Sequence, residues 1–361
     1  MKATQQLHDL GQSLWLDNIT RGLLADGTLS HYIRDLSVTG LTSNPTIFDN
    51  AIRVSDFYDA AIRQKLTAGK TGEALFYELA LEDLTQAADL FRPIFDATGG
   101  VDGWVSLEVS PLLADDTAGS IRAAEQLHAR AGRPNLFIKI PGTAAGIPAI
   151  EESIFAGVPI NVTLLFSREH YIAAAEAYMR GIERRIAAGR DPKVASVASI
   201  FVSRWDVAVK DKVPEHLRNH LGISIARRTY QAYREVLVSA RWKKLNDAGA
   251  QSQRLLWAST GSKDPAGSDT LYVEALAAPE TINTLPEQTL LAFAEHGRVK
   301  ELLPADGGDA EDMLAAFAYE GVNDEQLAAD LQREGTQAFT KSWQDLLDCL
   351  AEKGGVLGQT G

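Results

Sequence analysis

Only one cysteine, Cys349, occurs in the 361 residues, so no disulfide can form within the chain and a cysteine-built zinc site is excluded. Its surroundings, SWQDLLDCLAEK, have helical spacing, and the thiol reads as a small apolar core group in place of a nucleophile. No stretch approaches the roughly 18 apolar residues of a membrane span. The N-terminal stretch MKATQQLHDLGQSLWLDNIT is interrupted by Gln, His and Asp and has no apolar core of the secretory kind, so a soluble, cytoplasmic protein is expected. Positive charge is short: 35 Lys and Arg stand against 48 Asp and Glu, a net charge of −13. With no local basic patch, neither a nucleic acid nor an anionic membrane surface is an expected partner. Nucleotide fingerprints are missing as well. There is no G-x-G-x-x-G, and Gly69-Lys70-Thr71 fails as a P-loop because Gln64 stands where glycine is needed and the preceding segment is helical. His216 and His220 have i, i+4 spacing, but HLRNH lacks the glutamate of a zinc-hydrolase helix; they read as a solvated helix face, and no metal is expected.

What is present is an ordinary globular composition, 45% hydrophobic and 23% charged. No repeat of fixed period occurs. Short apolar or β-branched runs alternate with longer helical patterns. The runs lie at 13–19, 36–42, 104–110, 135–141, 159–166, 194–203, 254–260 and 281–286, most of them bounded by Gly, Pro, Asn or Asp. They lack a clean polar face, as parallel strands buried on both sides do. Between them, 72–95, 116–132, 167–189 and 223–249 have helical spacing, with Asp116 and Ser167 as N-caps and Gly132 and Gly189 as stops. Eight strand–helix units predict an α/β fold, a (β/α)8 TIM barrel with additional C-terminal helices. An open doubly wound sheet is the alternative, but its usual Gly-rich turn is missing. The expected organisation is a single domain over 1–361, with the barrel at about 10–300 and appended helices at about 301–361.

Barrel enzymes build their sites at the C-terminal ends of the strands. Here polar residues recur at those ends: Asp17, Thr42-Ser43-Asn44, Glu108, Lys139, Asn161 and Thr163, Ser199 and Arg204, then Ser259, Thr260 and Lys263. Lys139 is the most informative. In LFIKIP it shares a face with Phe137, opposite Ile138 and Ile140. A lysine can snorkel from an edge strand, but a barrel has no edge, so an inward lysine sits in the lumen. Desolvation there favours the neutral amine, which Schiff-base formation with a carbonyl requires. Binding of a phosphate or enolate by a cationic Lys139 is the other local role. Asp17 and Glu108 are the inward acid/base candidates, with electrostatic balance of Lys139 as the plainer role for Glu108. Asn161 and Thr163 share a face and suit a polyhydroxy substrate; Arg204, Ser259 and Lys263 fit a phosphate.

The ordered motifs LWLDNITRGLL, TGLTSNPTIF, VSLEVSP, NLFIKIPGTAAGIPAIEESIFAGVPINVTLLFS, VASIFVSRWD and LLWASTGSKDP resemble the transaldolase family over essentially residues 10–300. The likeness is greatest to its longer bacterial branch with extra C-terminal helices. The resemblance implies a Schiff-base aldolase barrel, active without metal or organic cofactor. Its reaction would move a dihydroxyacetone unit from sedoheptulose 7-phosphate to glyceraldehyde 3-phosphate in the pentose phosphate pathway. It implies Lys139 as the Schiff-base lysine, Asp17 as the acid/base of bond cleavage, and Glu108 with Thr163 as the pair positioning a catalytic water. Asn44, Asn161 and Ser199 would contact the substrate, and Arg204 and Ser259 its phosphate. Many relatives carry a second phosphate arginine soon after the strand-seven serine; here Thr260-Gly261-Ser262-Lys263 has none, and Lys263 offers only a point charge. The rival readings are a fructose 6-phosphate aldolase-like lyase and a noncatalytic sugar-phosphate-binding barrel. A monomer or homodimer is expected.

Overall fold

The computed structural model describes residues 2–264 and 267–359, so Pro265, the last residue of the motif LLWASTGSKDP, lies outside the described residues. Each of the eight expected runs contains one strand: Ser13–Asp17 (β1), Val38–Thr42 (β2), Trp104–Glu108 (β3), Leu136–Pro141 (β4), Ile160–Leu165 (β5), Ser196–Phe201 (β6), Arg254–Ala258 (β7) and Ile282–Leu285 (β8). They pair in chain order and close into a barrel, with β8 parallel to β1.

Strand alternation divides the core in two. Ile138, Ile140, Val105 and Leu107 face outward into the layer shared with the helices, while Trp15, Trp104, Phe137, Val197 and Leu256 fill the lumen. Trp104 stacks on Phe137 with centroids 4.0 Å apart, and Trp15 lies 6.2 Å from the same ring. Gly40 makes room for this plug: a Cβ there would stand 2.7 Å from the Trp15 ring and from the Trp104 carbonyl oxygen. Below the rings, Arg254 donates to Ser13 Oγ at 2.7 Å and to the Thr281 carbonyl at 2.8 Å, and Trp15 donates to Asp102 at 2.8 Å. These rings plug the lumen and separate its N-terminal mouth from its C-terminal end.

The caps behave as their chemistry dictates. Asp116 accepts from the Gly119 amide at 2.8 Å, Ser167 accepts from the His170 amide at 3.1 Å, and Gly132 takes a left-handed φ of 58°. The segment 223–249, expected as one helix, is two: Leu221–Val238 and Ala240–Asp247. Ser239 turns extended (ψ 147°), and its hydroxyl caps the second helix through the Trp242 amide at 3.1 Å, which buries Trp242 and Leu245. The expected helix face bearing His216 and His220 is also corrected. Both are exposed, but Glu215–Leu217 is a single 3-10 turn and Arg218 is extended, so no helix joins them.

Beyond residue 300 lie Ala310–Tyr319 and Asp324–Gln359. The second crosses the C-terminal end of the barrel, packing on Pro45–Val54, Asp59–Thr67, Gly72–Ala97 and β5. It buries Trp343 edge-on to Phe76 at 5.0 Å, and Cys349 is buried on the same helix. Among the described residues no helix is long and apolar enough to cross a membrane.

Candidate active site

A cavity of about 310 Å³ opens at the C-terminal end of the strands. Eight of the residues given catalytic or substrate roles from sequence line it: Asp17, Asn44, Lys139, Thr163, Ser199, Arg204, Ser259 and Lys263, and Thr42 joins them. Lys139, only 6% exposed, donates from Nζ to the Ser43 carbonyl at 3.0 Å and to Glu108 Oε2 at 3.2 Å. Register explains the meeting. Glu108 on β3, Lys139 on β4 and Asn161 on β5 are successive Cα partners, so their side chains enter one layer of the lumen. Asp17 closes β1 and accepts from Thr42 Oγ1 at 2.8 Å, which in turn pairs with Thr284 Oγ1 at 2.6 Å. The amine is thus buried against the Glu108 carboxyl, the partner expected on the plainer reading of that residue.

Burial raises the pKa of Asp17 above the ordinary aspartate value; the charge of Lys139, the Thr42 hydrogen bond and Lys263 pull against it. Glu108 is also raised, by burial first, with the charge and hydrogen bond of Lys139 opposing and Asp17 adding repulsion. Two carboxyls that hold protons more readily than usual, beside one primary amine, form an arrangement able to move protons around a carbonyl adduct.

Glu108 and Asn161 do not line the cavity. Glu108 is buried against the amine. Asn161 is fully buried: its amide donates to Ser106 Oγ at 3.2 Å, and its oxygen accepts from Ser199 Oγ at 2.7 Å. Thr163 Oγ1 is buried without a hydrogen-bond partner among the described residues, at the point where β5 breaks register and Leu164 takes φ 58°. A similar left-handed residue, Ser259 (φ 56°), follows β7, and its hydroxyl pairs with Ser203 Oγ at 2.8 Å. Non-glycine residues in this region carry backbone strain and are held there by their surroundings. Arg204 follows β6 in the first turn of Ser203–Val209, its guanidinium 5.7 Å from the Phe201 ring centroid. A second cavity, of about 530 Å³, shares Arg204, Ser259 and Lys263 and adds Leu331 and Glu334 from the C-terminal helix.

Asp206 fixes the helix that carries Arg204. It accepts from the Leu221 amide at 2.9 Å and from the Tyr272 hydroxyl at 2.8 Å. Burial pushes its carboxyl up to about 6, against those hydrogen bonds. An unfolded aspartate titrates near ~3.9. Between the two values the folded chain holds a proton that the unfolded chain has lost. This contribution to stability is therefore complete at low pH and disappears as the pH rises through the folded value. Asp206→Asn does not titrate, so the stability of the native chain relative to that variant should fall by about 2–3 kcal/mol between pH ~4 and pH ~7. Urea midpoints of both proteins at the two pH values measure this, and a constant difference would contradict it.

Sequence reasoning missed Phe339, whose ring centroid is 5.9 Å from Lys139 Nζ, and Thr284, the hydroxyl that pairs with Thr42. Thr284 was accessible as a polar residue on the last strand. Phe339 reaches the cavity from a helix far along the chain, with no local motif to mark it.

The family model described as Transaldolase/Fructose-6-phosphate aldolase matches residues 14–350. A protein named Transaldolase from Frankia alni is 44% identical over 366 residues, covering 99% of this chain and 98% of its own. Another of that name from Thermobifida fusca is also 44% identical, covering 97% of each chain. A protein named Transaldolase 2 from Nostoc punctiforme is 38% identical, covering 98% of this chain and 97% of its own.

Proposed function

Since the chain belongs to the transaldolase/fructose-6-phosphate aldolase family, we propose that it acts as a transaldolase by forming a Schiff base at Lys139. The observation that carries this reading is the buried Lys139 amine at the cavity wall, 3.2 Å from Glu108 and electrostatically coupled to Asp17. The amine adds to the ketose carbonyl of sedoheptulose 7-phosphate, and the carbinolamine loses water to give the imine. Glu108 and Thr163, on either side of the amine's strand, handle the water and protons of that step. Asp17 takes the proton of the neighbouring hydroxyl as the carbon–carbon bond breaks. The bonding pair flows into the cationic imine, leaving a dihydroxyacetone enamine on Nζ while erythrose 4-phosphate departs. Glyceraldehyde 3-phosphate then enters, the enamine carbon attacks its aldehyde, and Asp17 returns the proton. Hydrolysis of the new imine releases fructose 6-phosphate. This is a step of the non-oxidative pentose phosphate pathway.

Asn44 and Ser199 face the substrate hydroxyls, with Asn161 acting through Ser199. Arg204 and Ser259 bind the phosphate. Lys263 lines both cavities and supplies charge where no second arginine stands, as a compact ammonium without a bidentate fork. The proposed reaction uses only side chains of this chain, with no metal or organic cofactor. We read the enzyme as one working unit over 1–361, cytoplasmic, and a monomer or homodimer.

Incubation of sedoheptulose 7-phosphate with glyceraldehyde 3-phosphate should yield equal amounts of erythrose 4-phosphate and fructose 6-phosphate, with little free dihydroxyacetone. Dihydroxyacetone accumulating in place of fructose 6-phosphate would assign the aldolase reading instead. A barrel that only bound sugar phosphates would have no use for a desolvated amine facing two carboxyls.

A further inference from the structure

We propose that Phe339, delivered by the C-terminal helix Asp324–Gln359, decides whether the enzyme transfers its dihydroxyacetone unit or releases it, by denying a proton donor to the enamine carbon. The inference rests on the Schiff-base reading above and names a specificity-determining residue for it.

The helix presents a stripe to the barrel at three- and four-residue spacing: Gln332, Gly335, Phe339 and Trp343. Gln332 latches the helix, donating to the Gly142 and Leu164 carbonyls at 3.0 Å each, beside the ends of β4 and β5. Gly335 allows the approach, since a Cβ there would lie 3.0 Å from the Leu164 side chain. Trp343 is buried against Phe76 and Tyr77. Between these anchors Phe339 enters the cavity, 5.9 Å from Lys139 Nζ and 6.4 Å from the Phe201 ring.

After bond cleavage the enamine has two fates. Its carbon can attack the acceptor aldehyde, forming a carbon–carbon bond while the aldehyde oxygen takes the proton from Asp17. Alternatively it takes a proton at carbon, becoming the iminium of dihydroxyacetone. Water adds to that iminium and the carbinolamine expels the lysine amine, so one water is consumed and dihydroxyacetone leaves. Both routes end in imine hydrolysis, for which Glu108 and Thr163 stand ready. Blanket exclusion of water would therefore halt both. What separates them is access of a proton donor to the nucleophilic carbon, which projects from Nζ into the space that Phe339 walls. The ring has no donor and gives water no anchor. Its face also lies within reach of a favourable interaction with the cationic imine.

The test gives each protein fructose 6-phosphate with and without erythrose 4-phosphate and measures the ratio of dihydroxyacetone release to transfer. Borohydride labelling of Lys139 is followed in parallel. Phe339→Ala should raise the ratio about tenfold or more with labelling retained. Phe339→Leu, still apolar, should stay near the native ratio, and Gln332→Ala, which unlatches the helix, should fall between. An unchanged ratio in labelled Phe339→Ala overturns the proposal. Should that variant fail to fold, equal ratios in the native protein and Gln332→Ala overturn it. Absence of labelling in active native enzyme overturns the Schiff-base reading itself.

Discussion

Replacing Lys139 by methionine should reduce transfer by at least about 10⁴-fold, a loss of some 5–6 kcal/mol of transition-state stabilisation. Methionine keeps most of the stem's volume but has no nucleophile. The neighbours of Nζ are a backbone carbonyl and the Glu108 carboxyl, neither of which forms an imine. The variant should still fold. Removing the amine takes away the charge that opposes the rise in the Glu108 pKa, which leaves burial freer to favour the neutral carboxyl. In the native enzyme, borohydride with a ketose phosphate should leave one reduced adduct, on the peptide containing Lys139. An adduct on another lysine, or full activity in Lys139→Met, would end the Schiff-base assignment.

The barrel was legible because its signals are local. Each strand is a short apolar run between turn residues, and eight in alternation with helices leave few topologies. The inward direction of Lys139 followed from its alternation with Phe137 in the hexamer LFIKIP and from closure of the eight-stranded barrel. Asp17, Arg204 and Ser259 were found by their positions at strand ends. The layer positions were not accessible. Asn161 looked like a substrate amide, yet register puts it level with Glu108 and Lys139, where Ser106 and Ser199 use its hydrogen-bonding groups. Register is a relation between strands and leaves no trace within either one. The break at Ser239 was hidden in the same way, because a serine reads as neutral until its hydroxyl finds the Trp242 amide. Phe339 is the extreme case: 200 residues separate it from Lys139, and only docking of the last helix joins them.

Asp17→Asn should slow carbon–carbon cleavage by about 10²–10⁴-fold while leaving the borohydride adduct in place. The two steps ask different things of the site. Imine formation needs the amine and a way to move water, and Glu108 and Thr163 remain for that. Cleavage needs a base that accepts a hydroxyl proton as the bond opens, and an amide cannot. Asparagine keeps the shape, and its oxygen can still accept from Thr42. The adduct should therefore accumulate as intact ketose on Lys139, heavier than the dihydroxyacetone remnant trapped in the native enzyme. The pH profile gives a second reading of the same residue. Asp17 must be ionised to act as the base, and burial holds its pKa above the ordinary aspartate range. Cleavage in the native enzyme should thus decline as the pH falls through that raised value, and the residual activity of Asp17→Asn should lack this acidic limb. Normal turnover by the variant, or an unchanged limb in its profile, would move the acid/base role to another group, with Glu108 the next to be replaced.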